Sequence, residues 1–385
     1  MITAAPLPPP SRAGLLRQLR PNWYAAVMGT AVLASAGVAL PAPGNGPRGV
    51  LAAVWALSLL MLLVLLTARA AHWARHRDQA RAQLRDPAVA PFYGCLAMAL
   101  LAVGGGALTA GRELIGTRAA VALDTVLFTA GTAAGLGAAV AVPYLLAVRH
   151  RAEPAEATPV WLLPLVAPMV SAALGPLLVP HLPPGQPRET LLLACFALFG
   201  LSLLAVLLTL PLVFGRLLTA GPLPLALTPT LFLVLGPLGQ SATAVGAVAH
   251  AAPGVVPAPY DHGLLVLAVL YGVPVMGFAL LWLAFATAHV VRARRRGMGF
   301  SLTWWSFTFP VGTCVTGAAT LARHTGLAAY DALAAVLYGV LVLAWLAAAA
   351  GTVRGLVSGE LLAGPRPVPA ALRPATGRTT SGAVR

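Results

Sequence analysis

The chain has 385 residues, 59% of them hydrophobic and 9% charged, with a mean hydropathy of +0.84. A soluble domain carries about 25% charged residues, so the composition excludes a water-facing globule and makes lipid the main solvent. The net charge of +15 comes from arginines that lie between apolar runs instead of on one polar face. That placement excludes nucleic acid as a partner and points to orientation in a membrane.

Residues 1–21 hold Pro6 to Pro10, then Arg12, Arg17 and Arg20, and read as a cytoplasmic segment without a cleavable signal. Apolar runs follow near 22–40, 49–71, 89–110, 119–147, 159–180, 189–214, 226–250, 261–291, 300–322 and 329–353. A span needs about 20 apolar residues, so residues 22–353 are predicted to form a ten-helix transmembrane domain. Residues 354–385 are rich in Pro, Gly, Thr and Arg and read as a disordered cytoplasmic tail.

Of the 25 arginines, 20 fall on one side of these spans, and Arg48, Arg112, Arg118, Arg188 and Arg323 fall on the other. The rich side is expected to be cytoplasmic, with both termini there, in the plasma (inner) membrane. The odd spans begin near 22, 89, 159, 226 and 300, so an inside-to-outside hairpin recurs about every 70 residues. Odd spans hold 21 Gly or Pro in 111 residues, even spans 13 in 134. Residues that kink helices need protein or a water-lined cavity beside them, so the odd helices are placed inside and the Leu-rich even helices against lipid. The fold class is therefore an all-α membrane protein: ten transmembrane helices as five helical-hairpin repeats around a central pore.

Polar or small stripes at helical spacing mark the odd spans. The first has Ala26, Thr30, Ala34 and Gly37, and the third has Gly94, Met98, Gly105 and Thr109. The fifth has Pro164, Pro168, Ser171 and Gly175, and the seventh has Gly236, Gln240, Thr243, Ala247 and His250. The ninth reads Ser306, Phe309, Thr313, Thr316, Gly317 and Thr320. One stripe alone suits close helix packing; recurrence on alternate helices favours a pore. The expected pore-lining set is Ala26, Thr30, Gly105, Pro168, Ser171, Gly236, Gln240, Thr243, Pro310, Thr313 and Thr316. These stripes hold no charge, and Asp124, Glu189, Asp261 and Asp331 sit in the first turns of return helices, where a carboxylate suits the helix dipole.

The eight histidines lie at span ends or in loops, and Cys95, Cys195 and Cys314 lie far apart in apolar runs. No metal-ligand spacing, cofactor motif, nucleophile elbow or phosphate loop occurs, so no metal, cofactor or enzyme activity is indicated. A neutral pore lined by hydroxyls suits a small anion that must bind weakly enough to leave.

Two segments carry a family resemblance. Pro21-Asn22-Trp23-Tyr24-Ala25-Ala26-Val27-Met28-Gly29-Thr30 opens the first span, and Trp304-Trp305-Ser306-Phe307-Thr308-Phe309-Pro310-Val311-Gly312-Thr313 opens the ninth. Both resemble the tellurite-resistance/dicarboxylate transporter family, which includes plant slow anion channels, malate permeases and sulfite exporters. With the ten spans, the likeness covers residues 21–353. It implies a homotrimer in which each subunit has its own pore of five inner helices, plugged by a phenylalanine that corresponds to Phe309, with Pro310 as the adjoining kink. Many members have glycine after Met-Gly-Thr, where this chain has Ala31. The resemblance implies a C4-dicarboxylate such as malate as cargo, with sulfite as the alternative. It leaves channel and proton-coupled carrier open, and a non-transporting scaffold or receptor is the reading of a different class.

Overall fold

The computed structural model describes residues 19–41, 46–150, 153–359 and 361, and among these every regular element is helical. Most of the expected N-terminal segment and of the tail lies outside the described residues. Among the described residues, twelve α-helices occur in chain order: α1 Tyr24–Ala39, α2 Gly46–Arg75, α3 Arg77–Arg85, α4 Tyr93–Gly106, α5 Arg112–Ile115 and α6 Thr117–Leu145. They continue with α7 Leu162–Leu174, α8 Gln186–Thr219, α9 Leu235–Ala251, α10 Tyr260–Arg295, α11 Phe309–Thr325 and α12 Ala328–Val357.

Short and long helices alternate. Each of α1, α4, α7, α9 and α11 follows a 3-10 leader: Pro21–Trp23, Ala90–Phe92, Pro159–Trp161, Leu225–Val234 and Leu302–Phe307. Proline stands in the first turn of three of these leaders, where its missing N–H costs nothing. The five short helices touch one another in the order α1–α4–α7–α9–α11 and back to α1, so they close a ring. Each long helix packs against its own short partner and the next short helix of the ring: α2 on α1 and α4, α6 on α4 and α7, α8 on α7 and α9, α10 on α9 and α11, α12 on α11 and α1.

Burial follows that arrangement. The runs Ala90–Ile115, Pro159–Leu177 and Leu225–Ala251 bury 78%, 83% and 83% of their most apolar stretch, against 22% to 28% for the long helices. The exposed large side chains of the long helices, such as Leu60, Leu63, Leu204, Leu208, Leu281 and Leu343, form an apolar outer surface suited to lipid.

Lipid gives helices no hydrophobic reason to associate, so packing and polar contacts must hold them together. At least one polar clasp joins each long helix to the inner layer. Trp55 Nε1 on α2 donates to Val103 O at 3.0 Å, and Thr132 Oγ1 on α6 to Ser171 Oγ at 2.9 Å. Ser202 Oγ on α8 donates to Leu165 O at 2.7 Å, Trp282 Nε1 on α10 to Leu231 O at 2.9 Å, and Trp345 Nε1 on α12 to Thr30 Oγ1 at 3.0 Å. At the arginine-rich end the buried Arg69 donates to Leu19 O, Gln83 Oε1 and Tyr93 OH, which ties α2, α3, α4 and the entry to α1.

Among the described residues, eight helical runs are long and apolar enough to cross a membrane. The expected spans at 22–40 and 300–322 are not among them. Their helices, α1 and α11, have 16 and 17 residues. Thr308, with φ −93° and ψ −75°, separates α11 from its leader.

Candidate functional site

Between α4, α7, α9 and α11 of the ring lies a void of about 10 Å³, at the lower limit for one water molecule. Met98 of α4, Leu162, Leu163 and Val166 of α7, Leu233 of the α9 leader, Gly236 of α9, and Phe309 and Pro310 of α11 line it. Pro310 occupies the second position of α11, where the fixed φ suits a helix start. This puts Phe309 at the head of the helix, 4% exposed. A Cβ built on Gly236 would meet only Pro310 Cγ, at 4.0 Å, so this glycine leaves room beside the ring. Every side chain around the void is apolar.

Three of the expected residues, Phe309, Pro310 and Gly236, therefore meet at one layer. Gln240 stands one turn further along α9, 5% exposed, and has no hydrogen-bond partner among the described residues. Its amide is a free donor one turn from the void.

The expected hydroxyls are differently placed. Thr30 donates to Ala26 O at 2.8 Å and receives the α12 clasp from Trp345, and Ser171 receives the α6 clasp from Thr132. Both are turned toward outer helices. Ala26 is buried in the same turn of α1 as Thr30. Thr313 donates to Pro310 O at 2.7 Å, Thr316 to Thr313 O at 3.0 Å and Thr243 to Gly239 O at 3.0 Å. Thr243 and Thr316 Oγ1 also lie 2.8 Å apart across the α9–α11 seam, where either one can donate in place of its own backbone bond. A hydroxyl carries one proton, so these threonines spend theirs inside the protein and offer oxygen lone pairs. The supply of hydroxyl donors expected from the sequence is thus committed to the backbone, as is common for Ser and Thr within helices. Gly105 faces Leu174 in the α4–α7 seam, and Pro168 is buried within α7.

Residues outside the expected set complete the layer: Met98, Leu162, Leu163, Val166 and Leu233. Met98 lies on the third-span stripe. The other four are aliphatic, and no sequence signal separates an aliphatic side chain on the axis from one against lipid. Among the described residues no group of three or more His, Cys, Asp or Glu could hold a metal.

Residues 18–353 match the family model described as SLAC1, voltage-dependent anion channel. The chain belongs to this family. Its relatives include an uncharacterised transporter of Methanocaldococcus jannaschii, 24% identical over 92% of this chain and 98% of the relative. The sulfite efflux pump SSU1 of Trichophyton rubrum is 25% identical over 90% and 93%, and a second M. jannaschii transporter 23% identical over 90% and 97%. The protein is thus a multi-pass membrane protein of an anion channel and transporter family, and the resemblance read from its first and ninth spans is to the same group.

Proposed function

We propose that the chain carries small anions along the axis of the α1–α4–α7–α9–α11 ring, and that Phe309 is the closed gate. The observation that carries this reading is the apolar layer around Phe309, whose void is too small for any anion. An apolar constriction blocks ions by excluding water. Movement of the Phe309 ring into the room beside Gly236 opens the layer. Gln240 then supplies amide donors to the passing anion, and Ala26, Thr30, Gly105, Pro168, Ser171, Thr243, Thr313 and Thr316 shape the path or fix the helices that form it.

In this reading all five hairpins cross the bilayer. With its leader, α1 reaches about 30 Å, which matches a hydrocarbon core of that thickness. The arginine-rich ends and both termini are cytoplasmic, in the plasma (inner) membrane, and residues 22–353 form the transport domain. The assembly is a homotrimer with one path per subunit. The cargo is a C4-dicarboxylate of the malate class or sulfite; the relatives named for sulfite efflux support sulfite about as well as the resemblance supports malate.

Reconstitution in liposomes with sulfite, malate, nitrate and chloride tests the proposal. Phe309→Ala is expected to raise flux of the carried anion at least tenfold over the native chain. No flux of any of the four in either protein favours a scaffold or receptor.

A further inference from the structure

The face of α11 that carries Phe309 and Thr316 continues through Thr320 to Arg323 at helical spacing, toward the arginine-poor end. Arg323 Nη2 donates to Thr320 Oγ1 at 3.1 Å, which holds the guanidinium back along that face. A guanidinium has five N–H donors and never loses its charge in a protein. Among the described residues Arg323 has no carboxylate partner; the ion pair found there joins Arg48 to Glu113 at 3.7 Å.

The other arginines of this end are differently engaged. Arg48 is paired, Arg188 donates to Leu182 O and Pro180 O, and Arg112 and Arg118 flank the α5–α6 turn. Arg323 alone of the five continues the α11 face that starts at Phe309, beyond the point where Thr316 and Thr320 pack against α9.

The neighbouring helix presents a matching end. The α9 face of Gly236 and Gln240 runs through Ala247 to the exposed His250. His324 Nε2 lies 3.1 Å from Gly246 O, and a carbonyl only accepts, so Nε2 carries the proton. That bond ties α11 to α9 at this end. His324 is within electrostatic reach of both Arg323 and His250. A helix C-terminus attracts cations whatever their other role, and Arg323 and His324 both stand in the last turn of α11. Arg323 differs in that it reaches back to a side-chain hydroxyl.

We propose that Arg323, flanked by His250, is an anion-capture station at the arginine-poor mouth of the axis, for a small oxyanion of one or two negative charges. It deepens the transport reading and rests on it. The path then has two stations: a charged one at the mouth, and the neutral Gln240 near the gate, roughly 15 Å deeper. A charge at the mouth concentrates anions, and its absence further in keeps them from being trapped.

The test uses the full chain and sulfite. In liposomes, Arg323→Gln is expected to raise the half-saturating sulfite concentration about tenfold from the face bearing Arg323, as for loss of one charge-assisted bond. Maximal rate, and half-saturation from the opposite face, should stay native. Arg118→Gln removes a charge from the same side away from the axis and should shift nothing. If Arg323→Gln does not fold, Arg323→Lys decides, because a point charge without the fork should give a smaller shift of the same sign. An unchanged half-saturation, or equal shifts for Arg323→Gln and Arg118→Gln, overturns the station while leaving transport intact. Calorimetric titration of the solubilised protein with sulfite separates the two claims. Binding that weakens in Arg323→Gln, without flux in liposomes, sinks transport and keeps the station; neither flux nor binding, with malate in place of sulfite as well, sinks both.

Discussion

Gly236 and Gly239 stand three residues apart on α9 and do opposite work. A Cβ at Gly239 would overlap the backbone of Thr313 and Cys314, so α9 and α11 meet there main chain to main chain. A Cβ at Gly236 would meet only Pro310 Cγ, at 4.0 Å, beside the void that Phe309 also lines. One small residue closes the wall of the ring, and the other leaves room within it. Small residues in an inner helix are therefore of two kinds, and the neighbour each one faces decides which.

The comparison breaks most visibly at the wall. Gly239→Ala pushes a methyl into a backbone that cannot move aside, and about 3 kcal/mol or more of stability should be lost. A large fall in melting temperature in detergent is the expected readout; a native melting temperature would mean the seam is looser than described. Gln240 sharpens the axial side. Gln240→Leu keeps the bulk and removes the free amide, so flux at low anion concentration should fall roughly fivefold, as for one neutral hydrogen bond, with stability unchanged. A leucine variant of native flux would remove Gln240 from the path. Gly236→Ala should be the mildest change: stability within about 0.5 kcal/mol of native, and a modest fall in open flux as the methyl takes space from the Phe309 ring. A collapse of stability there would erase the distinction between the two glycines.

Much of the layering was legible in the sequence. Gly and Pro concentrate in the helices that pack inward, because only protein or water can satisfy the backbone they free, and leucine concentrates in the helices that face lipid. The stripes were harder to read. An inner helix touches protein on every side, so Thr30 and Thr313 look alike on a helical wheel, yet one receives a clasp from α12 and the other sits in the seam with α9. The aliphatic half of the void carried no signal, since Leu163 and Leu233 on the axis are the same residues that elsewhere meet lipid. The length of α11 was also hidden: Ser306 and Phe309 share an apolar run, but the chain breaks between them at Thr308.

Water access across the Phe309 layer tests the central claim most directly. Gln240→Cys and Leu163→Cys, made with the buried Cys95, Cys195 and Cys314 replaced by alanine, can be treated in liposomes with a small charged thiol reagent from the face bearing Arg323. The account predicts that Gln240→Cys reacts while Leu163→Cys is protected, and that adding Phe309→Ala exposes both. Equal protection of both positions with and without Phe309, or equal reaction in its presence, would contradict a path closed by that ring.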